Sequence, residues 1–484
     1  MILLAVIFRL PNLFAPPFDT HSFRQTQTVS TIRDYYSNGI DLFHPKTLYA
    51  GYPGYMVLEF PIFQALMALL WKLTVPSIAV IRIWNILIGL LSAGLVYLIS
   101  KKIFNNRTAL ISAFIYLFIP LNVFYQRSML LDPTFVMLAL VALYLFLIMK
   151  GLKGWGYGAF LIVFTLIVGL ITVVKPLLLF PIIVIYLSGW WSGKIKEQVP
   201  VLLVFMACAA LLKIWIGYAD HINKMSPYMS FLSVEGHLGL SKMISVHYYA
   251  ALLFRFVSKI AVGPAMFLLL TSVFLAFSKG VKISRSTKRW ITVFIFLIAG
   301  YLILFANIND PHDYYQLILM PFVAMLIAAA GDHLLHILPR GIIVPISVVF
   351  CLSFLLSSSV GSLKMMENAK TASLFSKEVA PFTDANNKYA IIFGPQMAAT
   401  DIDRDFGDPL YLYSIDKFGL SYSVDDTGGA IRRLDNIGAK QLKDFKEVIF
   451  FRLGDPTSMQ RTELSDLGYT ISKRGEEFII YRHK

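Results

Sequence analysis

The chain has 484 residues, of which 57% are hydrophobic and only 15% charged, with a mean hydropathy of +0.66 and a net charge of +14. Soluble domains are about 45–50% apolar and about 25% charged, so this composition excludes an ordinary soluble enzyme and points to a chain that lives in lipid. The Lys and Arg residues mostly flank apolar runs, which assigns them to topology and to the headgroups of membrane lipids and speaks against a nucleic-acid partner.

A crossing takes about 20 mostly apolar residues. Residues 1–14 read as the end of a first span. The run is short, so either the chain is truncated at its start or the helix begins at the inner interface. It lacks the basic start and small-residue cleavage site of a signal peptide. Further spans are predicted at 78–100, 108–125, 133–149, 155–173, 176–191, 199–217, 251–277, 290–308, 314–330 and 341–358. With the first, that makes about eleven. The predicted fold is a polytopic α-helical membrane domain over 1–358, with a long first loop at 15–77, followed by a small α/β domain over 359–484. Cys208 and Cys351 lie inside apolar runs and suggest neither a disulfide framework nor a metal cluster.

Orientation follows from the basic residues of short loops. With the N-terminus inside, the inner loops carry Lys101, Lys102, Arg107, Lys150, Lys153, Lys194, Lys196, Lys279, Lys282, Arg285, Lys288, Arg289 and Arg340. The short outer turns carry only Arg127 and Lys175. Segments 15–77, 126–132, 218–250, 309–313 and the tail then share the outer side. Within the first loop, 25–37 and 62–75 read as interfacial helices, beside aromatic and Pro-rich stretches from Tyr49 to Pro53 and at Glu59-Phe60-Pro61. In the 218–250 loop, Tyr228, Phe231 and Tyr248-Tyr249 are expected as interface anchors.

The tail changes period. Residues 389–393, 448–451 and 478–481 read as buried strands, with helices at 408–417, 427–437 and 457–467 between them. It shows no phosphate-binding Gly loop, and reads as a lid or an acceptor-docking module.

Ionisable groups at a membrane edge are costly and tend to serve function. Asp19 opens the stretch Asp19-Thr20-His21-Ser22-Phe23-Arg24-Gln25. A carboxylate there can take the proton of an attacking hydroxyl, or can simply cap the helix that follows. Arg127 and Asp132 flank the next outer turn, where Arg127 suits a phosphate and Asp132 can orient a base or a sugar hydroxyl. The bland alternative is a snorkelling Arg and a helix cap ahead of Pro133. Lys175 precedes Pro176 on the side where basic residues are disfavoured, so it needs a partner such as a carrier phosphate. His312 and Tyr315, within Asp310-Pro311-His312-Asp313-Tyr314-Tyr315, suit hydrogen bonds to sugar or phosphate, or an interfacial aromatic belt. Arg82 and Arg255 either clamp phosphate or snorkel. Two acids beside His312 leave a divalent cation (Mg or Mn) open; no cofactor is otherwise indicated.

In their order and common side, Arg9-Leu10-Pro11 with Asp19, Arg127 with Leu131-Asp132-Pro133, Lys175-Pro176 and His312-Asp313-Tyr314-Tyr315 with Pro321 resemble the GT-C glycosyltransferases. The resemblance is to the branch of protein O-mannosyltransferases and lipid A aminoarabinose transferases, and to uncharacterised prokaryotic members in Glu59-Phe60-Pro61 and His21 to Gln25. It covers roughly residues 1–330 and the tail more loosely. Thr20 stands where many relatives carry a second acid, and Glu59 where the lipid A branch has a basic residue, which leaves open an acceptor that is neither protein nor lipid A.

The resemblance implies inverting transfer of a sugar from a polyprenyl-phosphate donor to a hydroxyl acceptor on a glycan, lipid or protein. Asp19 matches the first-loop catalytic acid. The resulting expectation has Asp19 and Asp132 catalytic, Arg24, Arg127 and Lys175 on the donor phosphate, and His21, Arg82, His312 and Tyr315 on substrate. It places the protein in the plasma (inner) membrane with its active site and tail outside. The rivals are a lipid-linked sugar transporter or flippase, for which internal repeats and mid-span charges are missing from the sequence, and a polysaccharide polymerase.

Overall fold

In the computed structural model, residues 1–48, 50–149, 151–190, 195–225, 240–278, 281, 283–367, 370–384, 389–394, 409–423, 445–453 and 458–483 are described. Tyr49, Tyr228, Phe231 and the helix expected over 427–437 lie outside them. The chain divides into two compact units, each discontinuous in sequence. One comprises Met1–Phe14, Ser77–Ile216 and Val234–Met366, and the other Ala15–Pro76, Gly217–Ser233 and Glu367–Lys484.

The first unit is helical. Among the described residues, seven helices are long and apolar enough to cross a membrane: Ile78–Ile103, Asp132–Met149, Gly154–Val174, Gln198–Asn223, Arg285–Leu304, Asp313–Ile337 and Arg340–Met365. Val246–Ile260 and Pro264–Phe277, bent by 119° at their junction, make an eighth if they are one span. The gap to the expected eleven comes from broken or short runs. The run at 108–125 splits into Asn106–Phe118 and Pro120–Tyr125, because Pro120 has no N–H to continue the ladder. The run at 176–191 gives only short pieces, and the first yields Ile2–Ile7.

Local chemistry sets the helix starts. Ser77 and Asn105 accept from the backbone N–H of Ala79 and Thr108, and Ser284 accepts from Thr287. Asn85 fixes the turn before Asp132, its amide donating to Ser128 O and Leu130 O at 2.8 Å each. Gly89, one turn along the same helix, permits this approach, since a Cβ there would lie 2.6 Å from Gln126 Oε1. Tyr248 is fully buried and donates to Leu302 O, so it packs inside instead of anchoring at an interface.

In the second unit, the first loop and the tail fold together. Ser22–Asn38 and Ile62–Leu73 pack against each other. Arg33 reaches the Tyr413 hydroxyl at 3.0 Å and Asp416 at 3.1 Å, with its guanidinium 4.2 Å from the Tyr413 ring centroid. Gly419 N–H donates to Leu48 O at 2.6 Å and Gly51 N–H to Gly419 O at 3.0 Å.

The tail holds a five-stranded sheet: β1 (Tyr389–Gly394), β2 (Phe418–Ser423), β3 (Glu447–Phe451), β4 (Tyr469–Arg474) and β5 (Phe478–His483), in the order β2-β1-β3-β5-β4. β1 pairs in parallel with β2 and β3; β5 runs antiparallel to β3 and β4. The three expected strands correspond to β1, β3 and β5. Pro409–Ser414 and Ser458–Asp466 are the described helices between them. Ile391, Phe393, Leu420, Val448, Phe450, Tyr469 and Ile479 form the core. Within it, the fully buried Glu447 is paired by Lys417 at 3.1 Å and Arg482 at 3.0 Å.

Candidate active site

In the helical unit the predicted residues separate into an aromatic–ionic cluster and a guanidinium cluster. Asp132 begins the Asp132–Met149 helix, and Lys175 ends the Gly154–Val174 helix. They form a direct ion pair with side chains 3% and 7% exposed. The Lys175 ammonium also lies 4.7 and 4.4 Å from the ring centroids of Tyr314 and Tyr315. A buried ammonium is tolerated only with such compensation: one carboxylate and two π faces. The second Asp132 oxygen, Oδ2, is buried with no hydrogen-bond partner among the described residues.

Tyr314 and Tyr315 belong to a 3-10 helix, Asp313–Leu319. Asp313 accepts from the Tyr125 hydroxyl and pairs with Lys259 at 2.6 Å. His312 stacks on Tyr314 at 5.2 Å and 24°, and the Tyr301 hydroxyl donates to Tyr315 O at 2.9 Å. Lys242 pairs with Asp310, and Arg255 donates to the carbonyls of Asn309 and Asp310. The structure thus brings together Asp132, Lys175, His312 and Tyr315, and adds Tyr125, Lys259 and Asp313.

Arg9, Arg82 and Arg127 are each fully buried. Arg82 donates to Asn12 O and to Leu13 O at 3.0 Å; Arg127 donates to Asn12 O at 3.1 Å. Arg9 donates to Ala5 O, Leu117 O and Gln126 Oε1 at 2.6–2.8 Å. Arg82 and Arg127 thus share the Asn12 carbonyl as an acceptor. These bonds to the Asn12 and Leu13 carbonyls carry no sequence signal.

In the second unit, Asp19 is 3% exposed and accepts from Gln25 Nε2 at 2.5 Å; the same amide donates to Thr20 O at 2.8 Å. Asp19 is not the helix cap. That position belongs to His21, which has φ 55° and ψ 38° and makes no side-chain cap bond. A non-glycine residue in the left-handed region carries strain, a feature that clusters at functional sites. Arg24, expected at the donor phosphate, gives one nitrogen to both oxygens of Glu59 at 2.6 Å and another to Gln27 at 2.5 Å. Gln64 adds a bond to Glu59 at 3.3 Å. This pair closes the first loop on itself.

Among the described residues, no group of three or more His, Cys, Asp or Glu converges in a way that fits a metal ion. Tyr125 and Lys259 escaped the sequence reading, and Asp313 entered it only as one of the two acids beside His312 and as part of the resemblance. The available signal was Lys259, an ionisable residue inside an apolar run, where such a residue marks a functional partner by default.

The family model described as dolichyl-phosphate-mannose-protein mannosyltransferase matches residues 59–216. No curated protein sequence matches the chain. Among solved structures, ArnT from Cupriavidus metallidurans in the apo state is similar with a TM-score of 0.62 and 13% identity, over 99% of this chain and 97% of that one. The same protein bound to undecaprenyl phosphate gives a TM-score of 0.58 at 13% identity, with the same coverage. The archaeal oligosaccharyltransferase AglB from Archaeoglobus fulgidus, in complex with an inhibitory peptide and a dolichol-phosphate, gives 0.52 at 12% identity over 96% of this chain and 70% of that one. The chain is a multi-span membrane protein with the GT-C fold. Within that class it resembles the O-mannosyltransferases and ArnT.

Proposed function

We propose that this protein is an inverting glycosyltransferase that moves a sugar from a polyprenyl-phosphate-linked donor to a hydroxyl acceptor at the extracytoplasmic face of the plasma membrane. The observation that carries the reading is the buried Asp132–Lys175 pair under Tyr314 and Tyr315. A lysine held in this way in a membrane fold is a phosphate-binding group in reserve. It can exchange a carboxylate for a lipid phosphate without ever being exposed as a bare charge. The GT-C fold and its likeness to an ArnT structure holding undecaprenyl phosphate support the same donor class. The charge asymmetry of the loops supports the orientation, with the tail outside.

Lys175 stabilises the charge that grows on the phosphate as the C1–O bond breaks, an interaction stronger in the transition state than in the ground state. Asp19 takes the acceptor proton while the acceptor oxygen bonds C1 and the polyprenyl phosphate departs with the electron pair. Gln25 holds the Asp19 carboxylate in place. Asp132 tunes Lys175, His312 and Tyr315 offer hydrogen bonds to sugar or phosphate, and His21 assists beside Asp19. Arg82 and Arg127 bond the Asn12 carbonyl, and Arg24 bonds Glu59.

Transfer of labelled sugar from a bacterial lipid extract to supplied hydroxyl acceptors, with the protein in nanodiscs, tests the reading. The wild type is expected to consume the lipid-linked donor and Lys175→Met to lose about 10²–10³-fold in rate. Binding of lipid-linked sugar without turnover, or movement of the lipid between leaflets in vesicles, would favour a transporter instead.

A further inference from the structure

The Asp132–Lys175 pair does not set its own aromatic cover. The two rings over the Lys175 ammonium belong to consecutive residues, Tyr314 and Tyr315, directly after Asp313 at the start of a 3-10 helix. Both Asp313 oxygens are engaged: Oδ1 by the Tyr125 hydroxyl and Oδ2 by the Lys259 ammonium at 2.6 Å. Tyr125 in turn packs edge-on against the Tyr314 ring at 6.2 Å. Lys259 sits in a single π-helical turn, Phe256–Ile260, immediately before the 119° bend to Pro264–Phe277. Such turns add one residue to a helix and re-aim its side chains, and they recur at functional positions. A Lys on an apolar segment, aimed at a buried carboxylate, is costly unless the pair serves a purpose.

We infer that Lys259 and Asp313 are positioning residues for the phosphate-binding cation Lys175. Their ion pair, with Tyr125, anchors the start of the 3-10 helix and so fixes the tyrosine rings that hold the ammonium in place as it passes from Asp132 to phosphate. The inference rests on the donor reading above. It assigns Lys259 an effect that operates only through Lys175.

A double-mutant cycle on lipid-phosphate binding tests it, with undecaprenyl phosphate titrated into the protein in nanodiscs and folding followed by thermal melting. Residues that act through one another show coupled effects, whereas independent ones add. Lys259→Met is expected to weaken binding about tenfold in the wild-type background and less than about twofold in the Lys175→Met background, with Lys259→Arg recovering most of the loss. If Lys259→Met fails to fold, the Lys259→Met/Asp313→Asn variant removes both charges together and is expected to show the same loss and the same coupling. An equal loss in both backgrounds, or none in either, overturns the inference while leaving the donor reading intact. A wild type that binds no lipid phosphate, with Lys175→Met indistinguishable from it, overturns the donor reading and this inference together.

Discussion

A buried ion pair is worth little relative to an apolar pair of the same shape, but breaking one is expensive. For Asp132 and Lys175, with both side chains under a tenth exposed, this asymmetry is a prediction. Asp132→Ala strands the ammonium and should lower stability by about 3–5 kcal/mol in denaturant titrations, whereas Asp132→Leu/Lys175→Met should melt close to the wild type while binding lipid phosphate measurably but more weakly. Both residues were legible in the sequence, Asp132 as an ionisable group at a membrane edge and Lys175 as a basic residue on the side where such residues are disfavoured. Their pairing was not, since 43 positions separate them and only the helix packing decides which charge meets which. The same limit hid the backbone bonds of Arg82 and Arg127. A guanidinium near a helix end reads as a phosphate ligand, whereas its bonds to the backbone carbonyls of Asn12 and Leu13 carry no sequence signal.

Among the elements, strand legibility followed burial. β1, β3 and β5 are near-continuous apolar runs, so they stood out. β2 alternates small and apolar residues, and β4 is an edge strand exposed after Tyr469, so neither gave a run to find. Gly419 in β2 is required by the pairing: its φ is +147°, and a Cβ would fall 1.8 Å from Ala390 O. Gly419→Ala should therefore separate β2 from β1 and destabilise the tail by more than about 1 kcal/mol, seen as a lower melting transition. In the spans, Pro120 shows why apolar run length does not give unbroken helix length. Hydropathy reads straight through a residue that ends the helix.

For the molecule as a whole, composition correctly indicated lipid, while the drop in hydropathy expected to mark a boundary after residue 358 falls inside the helix Arg340–Met365. What composition could not show is that the first loop and the tail build one compact unit, because their joints are backbone bonds at Leu48, Gly51 and Gly419 and the Arg33 grip on Tyr413 and Asp416. Removing residues 367–484 should consequently expose the 15–76 loop to limited proteolysis at protease levels that leave the full chain intact. Topology has its own check. With Cys208 and Cys351 replaced by Ala, a cysteine introduced at Ser472 should react with an impermeant maleimide on intact cells, and one at Ser284 only after lysis.

The most direct measurement of the central claim is sugar transfer from lipid-linked donor by wild type and by Asp19→Asn, in nanodiscs, at matched thermal stability. The account predicts donor consumption and product formation by the wild type, with a loss of about 10²–10⁴-fold in the variant at unchanged lipid-phosphate binding. A variant that transfers at the wild-type rate would contradict Asp19 as the base. A folded wild type that binds the donor and never turns it over, with every class of hydroxyl acceptor supplied, would contradict the glycosyltransferase reading itself.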